Sequence, residues 1–178
     1  MAPLSRLGRQ IQEVLAVLDR IGGSAALIGG LALSSHKVIR ATQDVDLLVD
    51  DAHADALDRE LQALGYRCVY RSDDAGNYLR GDERVDLLYA RRPIARRLLE
   101  SARPHSTPFG ETRVISVEGL VAFKLQGLIN DPRRTQDLED IRALIRANAD
   151  DLDMAELRGY FQLFDREALL DDIIASLA

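Results

Sequence analysis

The chain has 178 residues, enough for one domain with a proper core, or for one domain with a helical appendage. Its formal net charge of −6 at pH 7 excludes a protein that binds nucleic acid over its whole surface, but leaves room for a local basic face. The single cysteine, Cys68, excludes an intramolecular disulfide and a multi-cysteine zinc site. We find no leader and no apolar run of membrane-spanning length, so we expect a cytoplasmic protein with no membrane partner.

The chain is predicted to begin with a helix followed by a short buried strand. Apolar residues recur every three or four positions from Leu7 to Ile21, which is the spacing of one helix face. Gly22 and Gly23 end this pattern, as glycines commonly end helices. The apolar run over residues 24–28 then predicts the first strand.

A glycine pair, Gly29 and Gly30, separates this strand from a short helix predicted over residues 31–37. Backbone N–H groups at such a turn can face a phosphate without hindrance from side chains. The alternative is a tight turn with no ligand. In the loop that follows, Arg40 and Thr42 either contact phosphate or order the loop.

The next strand carries two aspartates one residue apart. Side chains alternate along a strand, so Asp44 and Asp46 share one face while Val45, Leu47 and Val49 face the core. Two like charges held side by side are unfavourable unless a cation lies between them. Carboxylate oxygens are the ligands that Mg²⁺ prefers. We interpret the pair as a metal site, the alternative being a solvated cap at the start of the strand.

A second strand, predicted over residues 84–89, repeats the Val-Asp-Leu-Leu sequence of residues 45–48 and carries Asp86. An isolated carboxylate in an apolar strand is costly to bury and therefore needs a partner. The alternative is a charge on an edge strand that discourages aggregation. Before it, we predict a helix over residues 54–64 and two strands over residues 66–70 and 77–80.

An arginine-rich helix is predicted after this strand, with Arg91, Arg92, Arg96 and Arg97 around apolar residues. It is a candidate contact for a phosphate backbone if the protein acts on RNA. Residues 104–109 are predicted to be irregular, and residues 113–116 to form a short strand.

A helix is predicted over residues 117–130, with Ser116 as its N-cap. It contains Lys124, one of only two lysines in the chain, within an apolar stripe. Such a lysine either extends past the edge of the core or reaches into a polar site. The rest of the chain is predicted to be helical and acidic, with no recognisable chemistry of its own.

The glycine pair, Arg40-x-Thr42 and Asp44-x-Asp46 before an apolar strand together resemble the signature of the nucleotidyltransferase superfamily, which has the polymerase-beta type fold. Within it the chain resembles the small bacterial AbiEii-type toxin nucleotidyltransferases and the minimal (MNT) nucleotidyltransferases. AbiEii-type proteins carry a Lys-Leu-x-Ala-like helix, a basic loop and an Asp-x-x-Asp helix. The matching residues here are Lys124-Leu125-Gln126-Gly127, Arg133-Arg134 and Asp137-Leu138-Glu139-Asp140.

This resemblance implies an α/β (α+β) nucleotidyltransferase fold, in which a small mixed β-sheet packs with helices. We predict a catalytic core over residues 1–116 and a C-terminal helical segment over residues 117–178 that packs on it. The resemblance further implies that Asp44, Asp46 and Asp86 bind two Mg²⁺ or Mn²⁺ ions, with Asp86 also orienting the acceptor or taking its proton. It makes Lys124 catalytic as well, through its charge. The implied nucleotide-binding residues are Gly29, Gly30, Arg40, Thr42, Lys124, Arg134 and Asp137. For Asp137 and Asp140 there is an alternative interpretation, because carboxylates in the first turn of a helix are also ordinary partners of the helix dipole.

We therefore expect Mg²⁺-dependent transfer of a nucleoside monophosphate from a nucleoside triphosphate to an acceptor hydroxyl. By the resemblance, the acceptor is tRNA or another RNA for toxin-type members and a protein for antitoxin-type members. A cognate toxin or antitoxin is a further expected partner. One alternative is a catalytically weak or inactive nucleotide-binding protein that acts as the antitoxin-like partner of another protein. Another is an aminoglycoside-modifying nucleotidyltransferase, which needs an acidic pocket for its cationic substrate.

Overall fold

The computed structural model describes residues 4–177, and the chain divides into two compact units. One unit comprises the residues up to Ser35 together with Arg40–Ile115, and the other comprises His36–Ile39 together with the residues from Ser116 onward. The mixed α/β architecture that the sequence predicts is confirmed. The strands are β1 (Ala25–Leu27), β2 (Asp44–Val49), β3 (Arg67–Arg71), β4 (Ala75–Arg80), β5 (Glu83–Tyr89), β6 (Arg103–Thr107) and β7 (Gly110–Val114). The α-helices are α1 (Arg6–Ile21), α2 (Gly29–Ser35), α3 (Ala54–Ala63), α4 (Pro93–Ser101), α5 (Val117–Asn130), α6 (Thr135–Ala147), α7 (Met154–Leu163) and α8 (Glu167–Ala175).

All seven strands belong to the first unit and form one mixed sheet in the order β3-β4-β5-β2-β1-β7-β6. The central pair, β2 and β5, is parallel, and β1 runs antiparallel to β2 and parallel to β7. The remaining neighbours are antiparallel pairs: β3 with β4, β4 with β5, and β6 with β7. The aspartate-bearing strand β2 is therefore an interior strand with a partner on each side.

Burial along β2 follows the predicted alternation. Val45, Leu47 and Val49 have no exposed surface, while Asp44 and Asp46 are half-buried. Leu48 is buried as well, so both faces of the strand are covered at its C-terminal end. Apolar burial thus fixes the register of β2 and leaves its two carboxylates on the less enclosed part of one face.

One local prediction from the sequence is wrong. Residues 104–109 were expected to be irregular, but Arg103–Thr107 forms β6 at the edge of the sheet, paired with β7. An edge strand tolerates Pro104, because the hydrogen-bond donor that proline lacks is not needed on an unpaired side. The short helix predicted over residues 31–37 and the short strand predicted over residues 113–116 are present with shifted bounds, Gly29–Ser35 and Gly110–Val114.

The second unit contains the helices α5 to α8. Helix α5 packs against α6 and α7, and α8 packs against α7. Ser116 caps α5 as predicted, because its Oγ accepts a hydrogen bond of 3.1 Å from the N–H of Gly119. The core of this unit is formed by fully buried side chains that include Leu120, Ile141 and Phe161. Among residues 4–177, none of the helices combines the length and the apolar character needed to cross a membrane.

Candidate active site

The register of β2 and β5 brings three of the predicted site residues together. Asp46 lies opposite Asp86, and Asp44 lies opposite Arg84. Residues two apart on a strand share a face, and directly opposite residues of neighbouring strands point to the same side of the sheet. The carboxylates of Asp44, Asp46 and Asp86 therefore lie on one side of the sheet, and all three are half-buried.

The glycine pair lies against the start of β2. Gly29 has a φ of +60°, and a Cβ placed there would lie 2.7 Å from the Cβ of Asp46. A Cβ at Gly30 would lie 2.7 Å from Oγ1 of Thr42 and 3.3 Å from Nη2 of Arg40. Real Cβ atoms do not approach other atoms this closely, so both positions require glycine. The structure thus brings four further residues of the predicted motif, Gly29, Gly30, Arg40 and Thr42, into one place around Asp46.

The Asp86 carboxylate has two partners that the sequence analysis did not identify. Arg84 donates from Nε to both carboxylate oxygens, at 3.1 Å and 2.9 Å. Asn77, opposite Asp86 on β4, donates from Nδ2 to Oδ1 at 2.5 Å. The spacing Arg84-x-Asp86 on a strand was a signal for the first contact, since residues two apart share a face. The second contact depends on the pairing of β4 with β5, which no local pattern specifies.

Arg84 interacts with the whole carboxylate cluster. The pKa of its guanidinium is raised, first by the hydrogen bond to Asp86 and its charge, and further by the charges of Asp44 and Asp46. The side chain of Arg84 is 47% exposed, whereas that of Asp86 is 24% exposed. Arg40 lies nearby as well, next to Gly30, and the three carboxylates outnumber these two arginines, so the cluster carries an excess of negative charge.

The donor set of this cluster suits a hard divalent cation. Carboxylate oxygens are the ligands that Mg²⁺ and Mn²⁺ favour, and Mg²⁺ is usually held by one or two carboxylates together with substrate phosphates. In their present orientations, however, the described residues 4–177 contain no group of three His, Cys, Asp or Glu side chains placed to hold one metal ion. The oxygens of Asp86 are instead directed to Arg84 and Asn77. The residues fit the ion chemically.

Three other predicted site residues meet in the second unit. Lys124 donates from Nζ to Oδ2 of Asp140 at 2.6 Å and to Oδ1 of Asp137 at 3.2 Å. Arg134 donates from Nε to Oδ2 of Asp137 at 2.6 Å, and Gln136 donates to Asp140 at 3.1 Å. The side chains of Lys124, Asp137 and Asp140 are at most 7% exposed. Lys124 is therefore the centre of a buried ion-pair network rather than a lysine that extends past the edge of the core.

The position of Gly127 on α5 explains part of this network. A Cβ at residue 127 would lie 3.0 Å from Oδ2 of Asp137 and 3.4 Å from Cζ of Arg134. The small residue lets α6 approach α5 closely enough for Asp137 to reach Lys124. The network joins two cations to two carboxylates, so its formal charges balance.

The arginine-rich segment lies at the other end of the strands. Arg91 and Arg92 follow the last residue of β5 and precede α4, which begins at Pro93. Arg91 pairs with Asp73, Arg92 with Asp74 at 3.2 Å, and Arg96 with Asp51 at 3.5 Å. Exposed ion pairs of this kind contribute about 0–1 kcal/mol, so a phosphate can replace their carboxylates. A role in binding RNA stays a prediction.

An open cleft of about 580 Å³ lies beside this segment, lined by Asp51, Arg71, Tyr89 and Arg91 among others. It is located at the C-terminal ends of β2 and β5, whereas Asp44 and Asp46 are in the first half of β2. The cleft is therefore separate from the carboxylate cluster.

Neither the protein-family models nor the curated proteins give a match to this sequence. Several solved structures are similar to it. A crystal structure of ANT(2'')-Ia in complex with adenylyl-2''-tobramycin matches with a TM-score of 0.69 and 18% identity, over 90% of this chain and 99% of that one. A nucleotidyltransferase-like protein from Paracoccidioides brasiliensis matches with a TM-score of 0.56 and 20% identity, over 98% and 95% of the two chains. The lincosamide antibiotic adenylyltransferase LnuA, bound to lincomycin, matches with a TM-score of 0.54 and 14% identity, over 80% and 98%. The chain therefore has the nucleotidyltransferase fold.

Proposed function

We propose that this protein is a metal-dependent nucleotidyltransferase that transfers a nucleoside monophosphate from a nucleoside triphosphate to an acceptor hydroxyl. The observation that carries the proposal is the register of β2 and β5, which places Asp44, Asp46 and Asp86 on one side of the sheet. Three carboxylates that outnumber the arginines beside them, Arg84 and Arg40, form a site that attracts cations. The nucleotidyltransferase fold of the chain supports the same reaction.

In this proposal Asp44, Asp46 and Asp86 hold Mg²⁺ or Mn²⁺. The bound ion would offset the negative charge that develops on the triphosphate as the reaction proceeds. Gly29 and Gly30 leave the backbone beside Asp46 free of side chains, so that a phosphate chain can approach it. Arg40 and Thr42, which lie next to Gly30, contribute polar groups to the same place.

Asp86 takes the proton of the acceptor hydroxyl in this scheme. The acceptor oxygen forms a bond to the α-phosphorus, while the bond from the α-phosphorus to the bridging oxygen breaks and pyrophosphate leaves with the electron pair. Asn77 holds one oxygen of Asp86 from the neighbouring strand and so fixes the orientation of the base. The roles of Lys124, Arg134 and Asp137 in nucleotide binding stay predictions.

For the acceptor we propose RNA or protein, as the AbiEii and MNT resemblance implies, within a toxin–antitoxin pair. A second candidate is a small cationic antibiotic. The structure of ANT(2'')-Ia, which matches nearly the whole of both chains, contains an adenylylated tobramycin. The net charge of −6 favours the approach of a polycation over that of an RNA.

The test is transfer of label from each α-³²P-labelled nucleoside triphosphate to three acceptor pools, in the presence of Mg²⁺. The pools are total tRNA, total cell protein, and a panel of aminoglycosides and lincosamides. Asp46→Asn is the inactive variant, and Asp82→Asn is the matched control, because it removes an exposed carboxylate of the same unit.

Label in one pool with the parent and with Asp82→Asn, but not with Asp46→Asn, identifies both the nucleotide and the acceptor class. The absence of label in every pool, together with a melting temperature that nucleotide and Mg²⁺ do not change, contradicts the proposal. That result would favour a binding protein that acts as the partner of another chain.

A further inference from the structure

Arg84 lies among the three carboxylates, and the proposed reaction gives it no role. It lies two residues before Asp86 on β5 and directly opposite Asp44 on β2. Its side chain therefore emerges on the same side of the sheet as the three aspartates. The four residues form a compact square on two neighbouring strands, in which three corners are anionic and one is cationic.

The contacts of Arg84 are specific to one member of the cluster. Its Nε donates to both oxygens of Asp86, at 3.1 Å and 2.9 Å, and Asn77 donates to one of those oxygens from the other side. A guanidinium keeps its charge at every accessible pH, so the contact cannot be released by deprotonation. Both oxygens of Asp86 are engaged in this arrangement.

A divalent ion bound by the three carboxylates needs an oxygen of Asp86 that now accepts from Arg84. No group of three acidic, His or Cys side chains in residues 4–177 is placed to bind a metal ion in these orientations. The side chain of Arg84 is 47% exposed, so it can move away from Asp86 without unpacking the core. A divalent ion at these carboxylates therefore meets the positive charge of Arg84, which already neutralises part of the charge on Asp86.

We propose that Arg84 is a built-in counter-cation that competes with the divalent metal ion for Asp86, and so weakens metal binding in the absence of nucleotide. This inference rests on the proposed function, since it assigns a metal ion to the three aspartates. Arg84 acts through Asp86, and it is therefore a positioning residue. The raised pKa of its guanidinium, caused by Asp86 first and then by Asp44 and Asp46, agrees with this placement.

The experiment measures Mn²⁺ binding to the nucleotide-free protein by isothermal titration calorimetry, at fixed pH and ionic strength. The variants are Arg84→Gln, Arg84→Lys, and the double variant Arg84→Gln with Asp86→Asn. The matched control is Arg92→Gln, which removes one exposed, ion-paired arginine of the same unit and gives the same net charge as Arg84→Gln.

We expect Arg84→Gln to bind Mn²⁺ about three- to tenfold more tightly than the parent. This is the change in affinity expected when the repulsion from one partly exposed positive charge is removed. Arg84→Lys should lie between the two, because an ammonium cannot reproduce the planar contact. Arg92→Gln should bind as the parent does, and the double variant should lose the gain.

An affinity of Arg84→Gln equal to or weaker than that of the parent overturns the inference, and so does an equal gain in Arg92→Gln, which would reflect net charge alone. In both cases the parent still binds Mn²⁺, and the proposed function stands. If neither the parent nor Arg84→Gln binds Mn²⁺ in the presence or absence of nucleoside triphosphate, the metal site and the proposed function fail together with the inference.

Discussion

The two units each contain a cluster of charged side chains, and the clusters differ in burial and in balance. Asp44, Asp46 and Asp86 are half-buried, and these three carboxylates outnumber the two nearby arginines, Arg84 and Arg40, so negative charge is in excess. The second cluster pairs two cations with two carboxylates, and its members are buried except for Arg134, which is 58% exposed. An unbalanced, accessible cluster can gain free energy by binding a cation. A balanced, buried one can only lose it when a member is removed.

The largest expected effect is on activity, in the unbalanced cluster. Asp44→Asn or Asp46→Asn should lower kcat/KM by about 10³-fold or more, because metal stabilisation of the transition state amounts to several kcal/mol. The same variants should melt at or slightly above the temperature of the parent without metal, since a repulsion between like charges is removed. Calorimetric melting beside the kinetic assay measures both quantities. A strongly lowered melting temperature in the metal-free protein would make these aspartates structural.

In the balanced cluster the large effect should be on stability. Lys124→Met leaves Asp137 and Asp140 buried without their shared cation and should lower the free energy of unfolding by about 3–5 kcal/mol. Urea denaturation measures this difference. Lys37→Met is the matched control, since Lys37 is the other lysine of the chain, 60% exposed and paired with Asp151. It should change stability by less than about 1 kcal/mol. Equal effects of the two substitutions would remove the contrast between buried and exposed pairs.

An intermediate effect is expected at the glycine turn beside the unbalanced cluster. Gly29→Ala combines a positive φ with a clash against Asp46, and should cost about 2–3 kcal/mol of stability and much of the activity. Gly22→Ala is the control, because Gly22 has a φ of +71° with no atom within 4 Å of the added Cβ. It should cost about 1 kcal/mol and leave activity unchanged. If the two variants lose the same amount of stability and activity, the close approach of Gly29 to Asp46 affects neither.

The smallest effect is expected in the exposed arginines near α4. Arg92→Gln and Arg96→Gln should change stability by about 0.5 kcal/mol or less, since their ion pairs are exposed. If the acceptor is RNA, each should raise the KM for RNA and reduce its dependence on salt, while the KM for nucleotide stays the same. Kinetics with the labelled acceptor at several salt concentrations measure this. Unchanged salt dependence would exclude this surface from RNA binding.

The sequence predicted the parts of the site that local patterns specify. The alternation around Asp44 and Asp46, the glycine pair at the start of the short helix, and the repeated Val-Asp-Leu-Leu all lie within short stretches of chain. Apolar burial then fixes the register of each strand and hence the side of the sheet that its aspartates occupy.

Other features depend on pairing between distant segments, and local patterns could not show them. Asn77 reaches Asp86 only because β4 pairs with β5 in one register. Strand β6 was missed because Pro104 and polar neighbours give no alternating pattern, and it is stabilised by its pairing with β7. The ion pair of Lys124 with Asp140 depends on the packing of α6 against α5, which the sequence of either helix does not specify.

The most direct test of the central claim compares nucleoside monophosphate transfer in three reactions: the parent protein in Mg²⁺, the parent in excess EDTA, and Asp46→Asn in Mg²⁺. Both proteins are first shown to melt at similar temperatures. The account predicts labelled acceptor and released pyrophosphate in equal amounts in the first reaction and neither product in the other two. Equal transfer by Asp46→Asn, or transfer that persists in EDTA, would contradict the assignment of a metal-dependent catalytic centre to the aspartates of β2 and β5.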